Sequence, residues 1–219
     1  MTASGRTVLL AGATSAAGLA TTRALSDAGA RVIATGRSPE RLEPLADAGA
    51  QVEVADATSL AEMIVLADRI GAVDGVISLV GGWRGGGGLA GQSDEDFAAL
   101  LPALQAVRAT SRAFDSALQT SGAGRFAIVS ATAVERPLAG GANYAAVKAA
   151  SEAWTRSVAH GFAKAARDAG LPLSAASVIF RAAGALDPDL LAAAVVDLWN
   201  EEAPTLNDTV RVLGPRLAQ

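Results

Sequence analysis

The chain has no cysteine, which excludes disulfides and thiolate metal sites. Its one histidine, His160, excludes a multi-histidine metal site as well, so no metal is expected. There is no cluster of lysine and arginine. With 18 basic and 22 acidic residues, the formal net charge is −4, and no nucleic-acid surface is implied. No apolar run is long enough to span a bilayer before Asp, Pro or Gly interrupts it. The opening MTASGR lacks the apolar core of a signal peptide. A cytoplasmic protein without membrane or nucleic-acid partners is the expectation.

What is present is 219 residues, 51% of them hydrophobic, enough for one domain over 1–219 with a full-sized core. Strand-like and helix-like segments alternate throughout. Thr7 opens the apolar strand VLL at 8–10, and a helix is expected over 18–29, ending at Gly29. ARVIAT at 30–35 is β-branched, and Ser38 caps a helix with Pro39 at its first position. QVEVAD at 51–56 alternates, and 59–70 is amphipathic. GVISLV at 75–80 is apolar throughout, as in a strand covered on both faces. Later helices are expected over 94–119, 143–169 and 187–201, and strands over 125–130, 173–180 and 208–213. Pro102 marks a kink or a late start in the first of these helices. This alternation predicts an α/β fold: a doubly wound Rossmann arrangement with a parallel sheet of about seven strands and helices on both faces.

The turn after the first strand is GATSAAGLA, 12–20. Gly12 and Gly18 lack a Cβ, so the backbone can turn sharply and approach a ligand. The unpaired N–H groups of the helix start, with the helix dipole behind them, suit a diphosphate. The usual dinucleotide fingerprint has a third glycine where Ala16 stands. The second strand ends in Gly36-Arg37, without the acid that binds a ribose 2′-hydroxyl. Arg37 offers a charged fork to a 2′-phosphate instead, which favours NADP over NAD. Asp56, at the end of the third strand, either accepts from an adenine amino group or caps the next helix. Tyr144 and Lys148 stand one helical turn apart, on one face. A neighbouring ammonium favours the phenolate and brings the phenol toward acid–base work.

Taken in order, GATSAAGLA, Gly36-Arg37, Asp56, the strand end SLVGG at 78–82 and Tyr144-x-x-x-Lys148 resemble the short-chain dehydrogenase/reductase family over nearly the whole length. The resemblance implies a Rossmann fold and hydride transfer between NADP(H) and a small carbonyl or alcohol. It implies cofactor contacts at Gly12, Thr14, Ser15, Ala17, Gly18, Arg37, Asp56, Ala57, Gly81 and Lys148. Tyr144 would be the general acid, and Lys148 would hold the ribose and lower the Tyr pKa. Family likeness also suggests a homodimer or homotetramer through the alanine-rich helix at 143–169.

The chain departs from the family at several places. Ser78-Leu79-Val80-Gly81 replaces its Asn-Asn-Ala-Gly, and the catalytic serine position falls on Ala131, between Ser130 and Thr132. Either flanking hydroxyl is a candidate substitute. The family's helix asparagine falls on Leu104, beside Gln105. FRAAGALDPD lacks the usual Pro-Gly turn, so the substrate-covering segment is nearly absent. These losses keep open a second reading, a dinucleotide-binding member with little turnover that acts as a sensor or assembly subunit. His160 is expected at the surface or an interface, and Trp154 and Phe162 in the core or an interface. Trp83 and Arg84 either line a substrate pocket or pack against a neighbouring chain.

Overall fold

The computed structural model describes residues 2–214. The chain forms β1 (Thr7–Ala11), α1 (Ala16–Asp27), β2 (Arg31–Gly36), α2 (Pro39–Asp47), β3 (Gln51–Val54), α3 (Leu60–Ile70) and β4 (Gly75–Ser78). It continues with α4 (Asp94–Ala113), α5 (Asp115–Thr120), β5 (Arg125–Ala131), α6 (Ala142–Ala169), β6 (Ala176–Ala182), α7 (Pro188–Val196), α8 (Ala203–Leu206) and β7 (Thr209–Leu213). The seven strands lie in the order β3-β2-β1-β4-β5-β6-β7, every pair parallel. This is the doubly wound Rossmann arrangement expected from the alternation.

Strand alternation supplies two cores. Val8 and Leu10 of β1 face one way, with Leu25, Leu42 and Leu191 of α1, α2 and α7. Leu9 and Ala11 face the other way, with Met63, Val107 and Phe162 of α3, α4 and α6. The winding reverses between β1 and β4, and the crevice that opens there, beyond the strand ends, is where this architecture binds ligands.

Several element ends differ from expectation, each for a local reason. α1 begins at Ala16, not near Gly18, because Ser15 caps it: its Oγ accepts the Gly18 N–H at 3.2 Å. The helix expected over 94–119 is two, α4 and α5, broken at the fully buried Phe114. Pro102 interrupts nothing; the bond it cannot donate would go to the carbonyl of Ala98, an exposed residue. The last long helix stops at Val196. It tightens into a 3₁₀ turn over Asp197–Trp199, which turns Trp199 inward to donate to the Ala123 carbonyl at 3.1 Å. A side chain on Gly75 would strike that indole at 2.8 Å.

The amino end of the sheet is closed by Arg125, whose side chain is fully buried. It donates to the carbonyls of Gly124, Ser174, Leu198 and Glu201 at 2.8–3.0 Å. Burial pushes its guanidinium down to about 10, against the pull of the Glu202 charge.

Gly18 is where the fold and the ligand turn constrain each other most tightly. A Cβ there would lie 1.9 Å from the Ala13 carbonyl oxygen, so strand and helix pack at this distance only with glycine. Gly18→Ala is expected to destabilise the protein by about 1–3 kcal/mol, read as a lower urea midpoint with unchanged slope.

Candidate active site

The site gathers at the carboxyl ends of β1, β4 and β5 and the first turns of α6. Gly12 has φ +74°, and a Cβ on it would meet Val80 Cγ2 at 2.3 Å. The turn after β1 therefore lies directly against the turn after β4. The exposed Ser15 and Ala16 open α1 toward this crevice, while Ala17 and Gly18 are buried beneath it. Thr14 is pressed against Gly36, where a Cβ would come 2.5 Å from its methyl group, and its carbonyl accepts from Arg41 at 3.0 Å. Arg41 lies in the first turn of α2, and no sequence motif marks it; only the fold brings it to the glycine turn.

A groove of about 240 Å³ lies between the end of β2 and α4, lined among others by Arg37, Val80, Gly81, Trp83, Leu100 and Ala103. Arg37 has no ion-pair partner among the described residues. Asp56 Oδ1 accepts from the N–H and the hydroxyl of Thr58 at 2.9 and 2.8 Å. The cap of α3 is Ser59, so the helix-cap alternative for Asp56 does not hold. Ala57, beside it, is buried.

Across the crevice, Tyr144 and Lys148 share one face of α6, with the ammonium 5.7 Å from the centre of the phenol ring. Lys148 is buried, and its Nζ donates to the Val129 carbonyl at 2.7 Å. Burial pushes the Lys148 pKa down to about 8, although the Glu152 charge pulls it the other way. Gly81 allows this approach, since a Cβ there would sit 3.3 Å from Nζ. Leu100, Ala103 and Val147 form a small apolar cluster between α4 and α6, and Tyr144 packs against it, as do Leu101 and Leu104. Leu104, at the family's asparagine position, adds an apolar side chain to the same cluster, and burial raises the Tyr144 pKa above the ordinary tyrosine value.

The two candidate hydroxyls part company. Ser130 is buried and donates to Glu152 Oε1 at 2.7 Å. The same carboxylate receives Arg181 Nε at 2.8 Å and Nη2 at 2.6 Å, and Arg181 also pairs with Glu135. Burial raises the Glu152 pKa, but the bonds from Arg181 and Ser130 outweigh it and hold the carboxyl below its usual range. Thr132 opens the 3₁₀ turn after β5, half-buried, with only a long 3.4 Å bond to the Ala182 carbonyl. Glu152 and Arg181 carried no motif; Lys148 and Glu152 at i, i+4 was the one local signal, and the partner on β6 lies 29 residues away.

The family model described as short chain dehydrogenase matches residues 6–166. The chain belongs to the short chain dehydrogenase family. No curated protein matches it. Solved structures share its fold. A short chain dehydrogenase/reductase family protein is 23% identical with TM-score 0.81, covering 97% of each chain. A Shigella flexneri protein described as a short chain dehydrogenase, complexed with NADP, is 19% identical with TM-score 0.83, covering 97% of this chain and 98% of that one. A metagenomic short-chain oxidoreductase in complex with NADP is 24% identical with TM-score 0.76, covering 97% and 99%.

As a family member this dehydrogenase is an NAD(P)-dependent oxidoreductase, and its crevice fits a dinucleotide on its own geometry. The two glycines keep the turn open, and Lys148 keeps two of its three N–H donors beyond the one given to Val129. Among the remaining residues, His160 is exposed on α6 and Phe162 is in the core. Trp154 is half-buried, donates to Ser111 at 2.9 Å and stacks under Arg108.

Tyr144 is the only tyrosine in the chain, so its titration can be read without mutagenesis. Phenolate absorbance in the ligand-free protein is expected to rise only above the ordinary midpoint near 10, because burial penalises the charged form. Tyr144→Phe should abolish the signal.

Proposed function

We propose that this dehydrogenase transfers hydride between NADP(H) and a small carbonyl or alcohol. The observation that carries the reading is the pairing of Tyr144 with the buried Lys148 at the open end of the sheet, across from the glycine turn. Residues 12–18 would hold the diphosphate, Arg37 the 2′-phosphate, Asp56 the adenine amino group with the Ala57 backbone beside it, and Lys148 the nicotinamide-side ribose, alongside Gly81. The bound dinucleotide supplies or takes the hydride.

In the reducing direction Tyr144 hands its Oη proton to the carbonyl oxygen as that oxygen gains charge. The Lys148 ammonium, 5.7 Å from the ring centre, favours the phenolate left behind and so opposes the penalty of burial. The carbonyl oxygen needs a second donor. Ala131 has none, and the Ser130 proton is already directed at Glu152. Thr132 is the better placed substitute, since its single bond is long and its residue is partly open to solvent. The reading extends to a cytoplasmic homo-oligomer that pairs through α6, where Ala146, Ala149, Ala150, Ala153 and Ser157 are exposed small residues. Among the described residues no helix is long and apolar enough to cross a membrane.

Three measurements test the reading. NADPH should raise the melting temperature of the wild type and of Tyr144→Phe alike, because the phenol acts after binding. With a panel of reactive ketones, quinones and aldehydes, Tyr144→Phe should lower kcat by about 10²- to 10⁴-fold. NADPH binding without oxidation of NADPH, unaffected by that substitution, would leave a binding protein rather than an enzyme. Arg37→Asp should lower kcat/KM for NADPH by roughly 10- to 100-fold and move preference toward NADH; an unchanged preference would remove Arg37 from the phosphate site.

A further inference from the structure

The segment 81–91 has glycine at seven of eleven positions, and glycine loses the most backbone freedom when ordered. The first turn of α6 has a related weakness. Its cap residue is Gly141, with no side chain to receive the free amides ahead of Tyr144. One side chain answers both. Gln92 Oε1 accepts the Asn143 N–H at 3.1 Å. Its Nε2 is shared among the carbonyls of Gly86 at 3.0 Å, Gly88 at 3.2 Å and Gly140 at 3.1 Å. Asn143 returns the contact by donating Nδ2 to the Ser93 carbonyl at 3.0 Å. Gly86 N–H also donates to the Gly140 carbonyl at 2.7 Å, and a Cβ on Gly85 would strike that same oxygen at 2.4 Å. The start of α4, the glycine loop and the start of α6 thus meet at one amide group.

We propose that Gln92 is a positioning residue, which caps α6 from outside the helix and so sets the Tyr144 phenol in register with the loop 81–91. That loop is the wall facing the substrate, in place of the shortened connection between β6 and α7. The inference rests on the reading of Tyr144 as the proton donor. Its acceptor and donor halves do different work. The acceptor oxygen orders the turn that carries Tyr144, and so governs kcat. The donor nitrogen orders the loop, and so governs KM for the carbonyl substrate. Gln92 bonds the loop at Gly86 and Gly88, five residues or more beyond the proposed cofactor contact Gly81, so NADPH affinity should depend on it far less than kcat or the carbonyl KM.

Two variants separate the halves. Gln92→Ala loses both; Gln92→Glu keeps an acceptor for the Asn143 N–H and loses the donor to the loop carbonyls. In Gln92→Ala, kcat should fall about tenfold, with the NADPH dissociation constant changed less than twofold. Amide exchange should quicken at Asn143, Tyr144 and Ala145, and the Tyr144 phenol should titrate closer to the ordinary midpoint as water reaches it. In Gln92→Glu, kcat and exchange at α6 should stay near wild type, while loop exchange quickens and KM for the carbonyl rises several-fold. A lower melting temperature in Gln92→Ala with unchanged kcat, α6 exchange and Tyr144 titration would overturn the proposal, leaving Gln92 a loop tether. Should the wild type fail to turn over any carbonyl with NADPH, the proposed activity falls, and the exchange and titration arms still decide whether Gln92 positions Tyr144.

Discussion

A buried ammonium bonded to the tip of a strand holds the working end of this molecule together. Lys148 Nζ donates to the Val129 carbonyl at 2.7 Å and so fastens α6 to β5. One residue along β5 and one turn along α6, the fastening repeats with different chemistry: Ser130 reaches Glu152, and Arg181, its register partner on β6, closes on the same carboxylate. Removing one member of such a buried pair typically costs about 3–5 kcal/mol, because the remaining charge is left without a partner. The clamp fixes the helix that carries Tyr144 across two neighbouring strands. It also uses the serine hydroxyl next to the family's catalytic position, so the function of the site and its rigidity draw on the same few side chains.

The parts of this structure that sequence reveals are those written in short-range pattern. Alternating apolar runs give the parallel sheet; Gly12 and Gly18 give the turn after β1; the i, i+4 spacing gives Tyr144 and Lys148. What escaped is set by distance along the chain. Ser130 is 22 residues from Glu152, and Gln92 is 51 from Asn143, so no local pattern joins either pair. Gln92 in particular reads as an ordinary polar residue before a helix. Asp56 had two readings of equal merit, and the serine three residues later took the helix cap because its side chain sits at the right offset for the Glu62 amide. Element ends depart from local propensity where a tertiary contact outweighs it, as at Phe114 and Trp199.

The crevice beside Tyr144 is dry on one side and open on the other. Leu100 and Ala103 of α4 pack against Tyr144 on one side, whereas only a few residues link β6 to α7. Dryness strengthens the influence of a nearby charge on the phenol; openness lets water weaken it. Between these tendencies the glycine loop and its tether assume more importance than in a site roofed by a long insertion. The exposed Trp83, Leu89 and Leu138 on the joined loops give that wall an apolar character.

Arg125 has a consequence for how the chain comes off the ribosome. Three of the carbonyls that satisfy it lie 49, 73 and 76 residues downstream, at Ser174, Leu198 and Glu201. Until those segments have been synthesised and released, the guanidinium must stay hydrated, and the start of β5 cannot be sealed from solvent. The amino end of the sheet, opposite the crevice, therefore closes only once those later segments have folded against it, although the strand ends that carry Tyr144 and the glycine turn lie at the other edge.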